Sequence, residues 1–329
     1  MGDSEKARAV TDWRRQREGT LRAMQEVMGP LPHESRKVLP AVRVLEEVRA
    51  ERYLRRKISF QTEANDRSGL CVVRAWVLIP HELKGRVPGM LCLHQTTYVG
   101  KDQTVGLSTL PHDTPDLRYA HELAERGYVT LSPDYPMFGE LAPMAYARGY
   151  ASETMKGVWN HMRATDVLAL LTEVDPERLG VIGHSLGGHN ALFVAAFDER
   201  LRATITSCGF TSLRKYRGGD LSPWSQDRYM PRVATVYSND PAKIPFDFSD
   251  VLCALAPRLL LINAPLRDDN FDASGVDDCV AAAREAYRRF DAEPRLVVEH
   301  PDASHSFPEE TRLRIFARLD EYFGLTNTQ

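Results

Sequence analysis

The stretch that most constrains this chain is Leu179-Gly180-Val181-Ile182-Gly183-His184-Ser185-Leu186-Gly187-Gly188-His189-Asn190-Ala191-Leu192. A short β-branched run enters Gly-x-Ser-x-Gly, and an Ala/Leu-rich helical segment leaves it. Each residue type has a physical reason. A serine pinched between a strand end and a helix start presents its hydroxyl out of the sheet. Gly183 and Gly187 are required because a Cβ at either position would strike the neighbouring strand and helix. The helix begins directly after Ser185, so backbone N–H groups without intrahelical partners lie beside any negative charge developing there. The bare pattern is common. Its strand–turn–helix setting reads it as a nucleophile elbow, against the alternative of a Gly-rich turn with no chemistry.

The 329 residues suffice for one large α/β domain with a substantial core, or for two small domains. Hydrophobic residues make up 43% and charged residues 26%, the balance of an ordinary soluble globule. A formal net charge of −3 gives no reason to expect nucleic acid or an anionic membrane as partner. No apolar run approaches the roughly eighteen residues of a membrane span. The polar, acidic start Met1-Gly2-Asp3-Ser4-Glu5-Lys6 lacks the apolar core of a signal peptide, which predicts a cytoplasmic protein. Cys71, Cys92, Cys208, Cys253 and Cys279 are odd in number and show no CxxC spacing; the first three sit in apolar runs and read as reduced core residues. There is no His-Glu-x-x-His, no clustered Cys/His and no Walker-type lysine loop, so neither a metal nor a cofactor is implied. Lys101, in Gly100-Lys101-Asp102, lacks phosphate-cradling spacing.

Along the chain, residues 1–57 are rich in Arg and Glu with helical spacing. Trp13, Leu21, Met24 and Met28 form one apolar face, ended by Gly29-Pro30-Leu31-Pro32, and a second amphipathic stretch is predicted over Val42, Leu45 and Val48. This is read as a helical extension on a main domain spanning 58–325. Tyr53–Gln61 alternates, Leu70–Ile79 is strongly β-prone, and Asn65-Asp66-Arg67-Ser68-Gly69 between them predicts a turn. From Val87 the rhythm becomes strand, loop, helix. Strands are predicted at Met90–Leu93, Tyr128–Leu131, Leu179–Ile182, Ala203–Ser207, Leu259–Ile262 and Leu296–Val298. Helices are predicted near Leu117–Arg126, Thr154–Val174, Leu186–Ala196, Val276–Phe290 and Glu309–Phe323. The outcome is an α/β fold of about eight strands, mostly parallel and covered by helices on both faces. Residues 210–250 are long, turn-rich and aromatic (Trp224, Tyr229, Tyr237, Phe246, Phe248), which predicts a cap-like insertion rather than a connector.

Several segments together resemble the α/β-hydrolases, in the branch of dienelactone-hydrolase-like and acetyl-esterase-like enzymes and prolyl-oligopeptidase catalytic domains. They are Leu93-His94, Ser132-Pro133-Asp134-Tyr135 with Phe138-Gly139-Glu140, the Ser185 elbow, Asp268-Asp269-Asn270 and Ala303-Ser304-His305. The resemblance covers roughly residues 50 to 325, and it implies a chain order of serine, acid, histidine. A serine hydroxyl is a poor nucleophile unless a base lies in reach and a third group orients that base. Asp268 is implied as the acid by its Asp-Asp-Asn context, with Asp269 the alternative; for either, the plain reading is a solvated loop carboxylate. His305, in a small-residue loop before the final helix, is implied as the base, while His300 at a strand end before Pro301 reads as structural. The oxyanion donors implied are the backbone N–H groups of Leu186 and Thr96. His94-Gln95 departs from the His-Gly common among the relatives. Gln95, Tyr98, Trp224 and Tyr229 are expected to border the pocket. His184 reads as packing beside the elbow, and Asp134 as fixing the loop after its strand.

The function this implies is cleavage of a carboxylic ester through an acyl-enzyme, with a small-molecule ester as partner; a homo-oligomer is compatible with the sequence. One alternative is a serine peptidase of the oligopeptidase kind, disfavoured because only about sixty residues precede the sheet, too few for the large extra domain such enzymes commonly carry. The other is a non-catalytic binding protein that keeps the fold, disfavoured by the presence of all three triad residue types in order.

Overall fold

A computed structural model describes residues 3–64, 71–111, 113–141 and 146–325. In chain order the elements are α1 (Asp3–Met28), β1 (Arg43–Arg49), β2 (Tyr53–Gln61), β3 (Val72–Pro80), β4 (Val87–Leu93), α2 (Tyr119–Glu125), β5 (Val129–Pro133), α3 (Glu153–Leu170), β6 (Val174–His184), α4 (Leu186–Phe197), β7 (Leu201–Ser207), α5 (Arg232–Thr235), α6 (Phe248–Leu255), β8 (Leu259–Asn263), α7 (Ala273–Arg288), β9 (Leu296–Glu299) and α8 (Glu309–Phe323). The nine strands form one sheet in the order β1-β2-β3-β5-β4-β6-β7-β8-β9. β1, β2 and β3 enter antiparallel, β3 meets β5 antiparallel, and every later pairing is parallel.

The strand sequences explain this arrangement. Every residue of β4 is buried, as expected of a central parallel strand with helices on both faces. Side chains alternate across the pleat. Met90 and Cys92 pack on one face with Tyr119 and Leu123 of α2 and Phe316 of α8. Leu91 and Leu93 pack on the other with Val158 of α3 and Leu192 of α4. Each large apolar side chain so buried contributes ~1.5–3 kcal/mol, so the two layers hold the sheet from both sides. Because β4, β6, β7 and β8 run parallel, the loops leaving their carboxyl ends gather at one edge, and those loops carry the chemistry.

Three sequence expectations change. The stretch over Val42, Leu45 and Val48 is not a helix but the edge strand β1, in which Val48 alone is partly buried. A register shift between Val44 and Glu46 breaks the two-residue alternation, which is why the apolar spacing looks helical. Arg56 opposite it donates to Glu47 at 2.7 Å, a cross-strand pair that suits a solvated edge. The residue 57/58 boundary therefore falls inside β2, and α1 and a short 3-10 turn at Glu34–Arg36 precede the sheet. Next, Val174 opens β6 rather than closing α3. Finally, residues 210–250 end on the first turn of α6, a buried helix that packs on α7 and α4 and belongs to the core rather than to an insertion. The turn expected at Asn65–Gly69 lies outside the described residues. Among the described residues no helix is long and apolar enough to cross a membrane.

Candidate active site

At the carboxyl end of β6 the chain turns through Ser185 into α4. Ser185 has φ 52° and ψ −116°, a strained conformation that a non-glycine residue holds only when its surroundings impose it. Its N–H donates to the Ser207 carbonyl of β7 at 2.8 Å, fixing the turn to the sheet. The two motif glycines are needed for space. A Cβ on Gly183 would lie 2.1 Å from the Gly187 carbonyl oxygen, and one on Gly187 would lie 1.9 Å from that of Leu93. Leu186 begins α4, so its N–H is one of the donors left without an intrahelical acceptor.

Asp268 lies beyond β8 and His305 beyond β9, far apart in sequence and adjacent in space. His305 Nδ1 is 2.9 Å from both carboxylate oxygens of Asp268. The backbone N–H groups of Asn270 and Phe271 donate to Asp268 Oδ1 at 2.9 and 3.1 Å. Burial works against the charged carboxylate, but the His305 contact and the two backbone donors outweigh it and hold the group below its ordinary value. Asp268 is therefore an anion fixed in one plane, and it commits Nδ1 of His305 so that Nε2 is the nitrogen free for chemistry. The His305 ring stands 4.9 Å from that of His184, the residue before Ser185, which sets it over the elbow. Asp269 is exposed. His300 is occupied by the Ala264 carbonyl at 2.7 Å and Asp277 at 3.0 Å. His184 bonds Ser207 Oγ at 2.9 Å, and burial pushes it down to about 3, so it is no rival base.

The loop after β4 is built to hold Thr96. The Tyr135 N–H donates to His94 Nε2 at 3.0 Å, so the proton of that ring is on Nδ1, which donates to the Gln95 carbonyl at 2.6 Å. The peptide joining Gln95 to Thr96 is thus clamped through its oxygen, on a loop whose first residue is His-Gln rather than His-Gly. Farther along, buried Lys101 is tied to Asp134 at 2.8 Å and Glu140 at 2.7 Å. Its own N–H also reaches Asp134, pinning the loop to the one that follows β5. Lys101 is a structural cation and Asp134 its anchor.

The pocket candidates separate. Tyr229 borders the oxyanion loop: its hydroxyl is 3.0 Å from Thr96 Oγ1, and its ring packs on the cluster of Tyr135, Phe138 and Leu186. Trp224 is buried, with its ring 4.7 Å from His189. Gln95 is turned aside, its amide donating to Gln103 Oε1 at 3.2 Å. Tyr98 is 87% exposed and is not a wall, because buried Thr97 and Lys101 on either side take the loop's inward positions. Sequence reasoning missed Phe271 and His189. With them, ring contacts run from His305 to Phe271 (6.0 Å), Trp224 (6.2 Å), His189 (4.7 Å) and Tyr229 (6.5 Å), then to Thr96. This aromatic arc joins the base to the oxyanion loop. The signal for His189 was its place one helical turn after Ser185.

A strained serine at a strand–helix turn, beside a hydrogen-bonded Asp–His pair that arrives from two later strands, defines a serine hydrolase of α/β fold. Comparisons with known proteins agree with this and narrow it. Residues 60–217 match the family described as acetyl xylan esterase (AXE1), and residues 144–291 match glucuronyl esterase, fungi. The chain is 26% identical over 216 residues to a Bacillus subtilis (strain 168) protein named as hydrolase YtaP, covering 62% of this chain and 68% of that one. It is 28% identical over 136 residues to carbohydrate esterase MZ0003 from an unknown prokaryotic organism, covering 38% of this chain and 30% of that one. Among solved structures, a glucuronoyl esterase from Solibacter usitatus superposes with a TM-score of 0.73 at 17% identity, covering 92% of this chain and 91% of that one, a likeness of fold. The chain belongs to the α/β-hydrolase superfamily of serine esterases, and its activity class is carboxylic-ester hydrolysis.

Proposed function

We propose that this chain removes a short acyl group from a hydroxyl of a carbohydrate, using Ser185, His305 and Asp268 as nucleophile, base and acid. Ser185 Oγ attacks the ester carbonyl while His305 Nε2 takes its proton, and Asp268 holds Nδ1–H and the imidazolium that forms. The developing oxyanion is met by the N–H groups of Leu186 and Thr96, each such donor worth ~3–4 kcal/mol of transition-state stabilisation. His305 returns the proton to the leaving alcohol. It then activates the water that releases the acid and frees Ser185.

The observation that carries the reading is the pairing of buried Asp268 with half-buried His305 beside Ser185. Two features support the substrate class. The aromatic arc closes one side of the site between His305 and Thr96, which suits a small acyl group. By description one matching family is acetyl xylan esterase and the other glucuronyl esterase, and MZ0003 is named a carbohydrate esterase. The test compares an acetylated xylo-oligosaccharide, the methyl ester of glucuronic acid and an aminoacyl amide, with wild type and Ser185→Ala. The acetylated sugar is expected to turn over fastest and Ser185→Ala to be inactive. Faster cleavage of the glucuronate ester moves the sugar to the acyl side, and turnover in Ser185→Ala overturns the mechanism.

A further inference from the structure

β8 is a buried apolar run, Leu259-Leu260-Leu261-Ile262, that ends on an amide, Asn263. Asn263 is buried, and a polar group so placed is costly unless it is paired. The register of the sheet sets it opposite Ser207, the last residue of β7 and equally buried. Asn263 Nδ2 lies 2.9 Å from Ser207 Oγ and 2.9 Å from the Ser306 carbonyl oxygen. A carbonyl only accepts, so the end of the amide facing Ser306 is the NH2 group, and its two protons go one to each oxygen. Ser207 Oγ also meets His184 Nδ1 at 2.9 Å, with Cys208 Sγ farther off at 3.9 Å. Having accepted from Asn263, the hydroxyl gives its own proton to His184 Nδ1, which leaves the proton of that neutral ring on Nε2.

The two ends of this chain of hydrogen bonds sit beside the base and the nucleophile. Ser306 follows His305 directly, and His184 directly precedes Ser185. The His184 and His305 rings meet edge-on, 4.9 Å apart. The Ser306 carbonyl also receives the Cys208 thiol at 3.3 Å, a weaker donor than the amide. We infer that Asn263 is a positioning residue of the esterase, whose single NH2 group ties the loop bearing His305 to the strand end bearing Ser185 and so fixes the distance over which the serine proton passes. The inference rests on the reading of Ser185, Asp268 and His305 as the triad. Without the amide, the Ser306 carbonyl is free to turn and the His184 ring to tilt. A small misplacement of the base costs rate far more than it costs binding.

The experiment measures kcat and KM for p-nitrophenyl acetate, with melting temperature alongside, for wild type, Asn263→Asp, Asn263→Ala and Ser207→Ala, and includes Ser185→Ala as the inactive control. In protein carrying isotope-labelled histidine, NMR follows the His305 Nδ1–H proton held by Asp268. Asn263→Asp keeps the volume and sets an acceptor where the donor stood, 2.9 Å from the Ser306 oxygen. Asn263→Ala removes the group. Both are expected to lower kcat about tenfold with KM within about twofold, and to broaden the His305 proton signal through faster exchange with water. Ser207→Ala keeps the hold on Ser306 and loses only the link to His184, so its kcat is expected to fall about threefold. It removes a single hydroxyl, so it carries the test even if the Asn263 variants fold poorly. A lowered melting temperature in the Asn263 variants, with kcat within about twofold of wild type and an unchanged His305 signal, would leave Asn263 as packing and overturn the proposal. A Ser207→Ala variant with wild-type kcat, or a KM that rises as far as kcat falls, overturns it equally. Turnover surviving in Ser185→Ala is a separate result, which refutes the triad itself.

Discussion

Asp268→Asn is isosteric, and the hydrogen bonds around the carboxylate decide how the new amide must sit. Oδ1 accepts from the backbone N–H groups of Asn270 and Phe271 at 2.9 and 3.1 Å, so the carbonyl end of the asparagine is drawn to that position. The NH2 group is then left facing His305 Nδ1 at the 2.9 Å now spanned by Oδ2. A donor there forces Nδ1 to accept and moves the ring proton to Nε2. Nε2 then has no lone pair with which to take the serine proton. The loss expected is ~10³–10⁴-fold in kcat, or about 4–5.5 kcal/mol of barrier, while KM changes little. Stability gives a second readout with a definite sign. Because the folded state holds Asp268 below its ordinary 3.8, the carboxylate contributes stability above that pH and loses it as pH falls through the folded value. Asp268→Asn lacks this contribution, so its melting temperature should lie furthest below wild type near neutral pH and converge with it in acid. The assay is hydrolysis of p-nitrophenyl acetate, with Asp269→Asn as comparison. Asp269 is exposed, and its substitution should leave kcat within about twofold. A variant at 268 that keeps a tenth of wild-type kcat, or a larger loss at 269, would refute this assignment.

Three further outcomes are expected. Trp224→Ala opens the aromatic arc, so the ratio of kcat/KM for butyryl over acetyl esters should rise tens-fold, within the ~1–3 kcal/mol that one pocket wall discriminates; an unchanged ratio with a lowered melting temperature would make Trp224 an anchor only. Tyr229→Phe removes the 3.0 Å contact to Thr96 Oγ1 and keeps the ring, so kcat should fall severalfold through a looser oxyanion loop, by about 1 kcal/mol, with the acyl preference unchanged. His161, His184 and His189 are each buried and pushed down to about 3 from 6.5, so they fold neutral but protonate when unfolded. Stability should therefore fall as pH drops below about 6.5, by up to ~1.4 kcal/mol per pH unit for each histidine, and His161→Asn should reduce that slope in a urea titration series.

The readability of this chain from its sequence follows the range over which each feature is determined. The elbow was legible because its causes are local: a β-branched run, two glycines whose Cβ atoms would collide with backbone, and an immediate helix start all lie within a dozen residues. Asp268 and His305 were legible only through the order of strands, which the family resemblance supplied. The hydrogen bond joining them spans 37 positions. β1 was misread because a bulge disturbs its alternation and an edge strand has no buried face to impose a period. α6 was missed although Asp247 and Asp250 form a reciprocal capping box before an apolar run, a signal present in the letters and masked by the turn-rich segment ahead of it. Cys208 shows the deeper limit. An apolar setting around a lone cysteine correctly gives burial, but the same letters describe Cys92, which lies within β4 with no part in the site. What separates them is their place relative to the strand end. Cys92 is inside β4, whereas Cys208 is the first residue beyond the carboxyl end of β7, the edge at which a parallel sheet gathers its reactive loops. A side chain at that edge meets residues from the neighbouring strand ends, here Asn263 of β8 and the loops bearing Asp268 and Ser306. Function in this fold is therefore read by placing each polar or nucleophilic residue against the strand ends. The register that does so is fixed by packing across the whole sheet and not by the residues themselves.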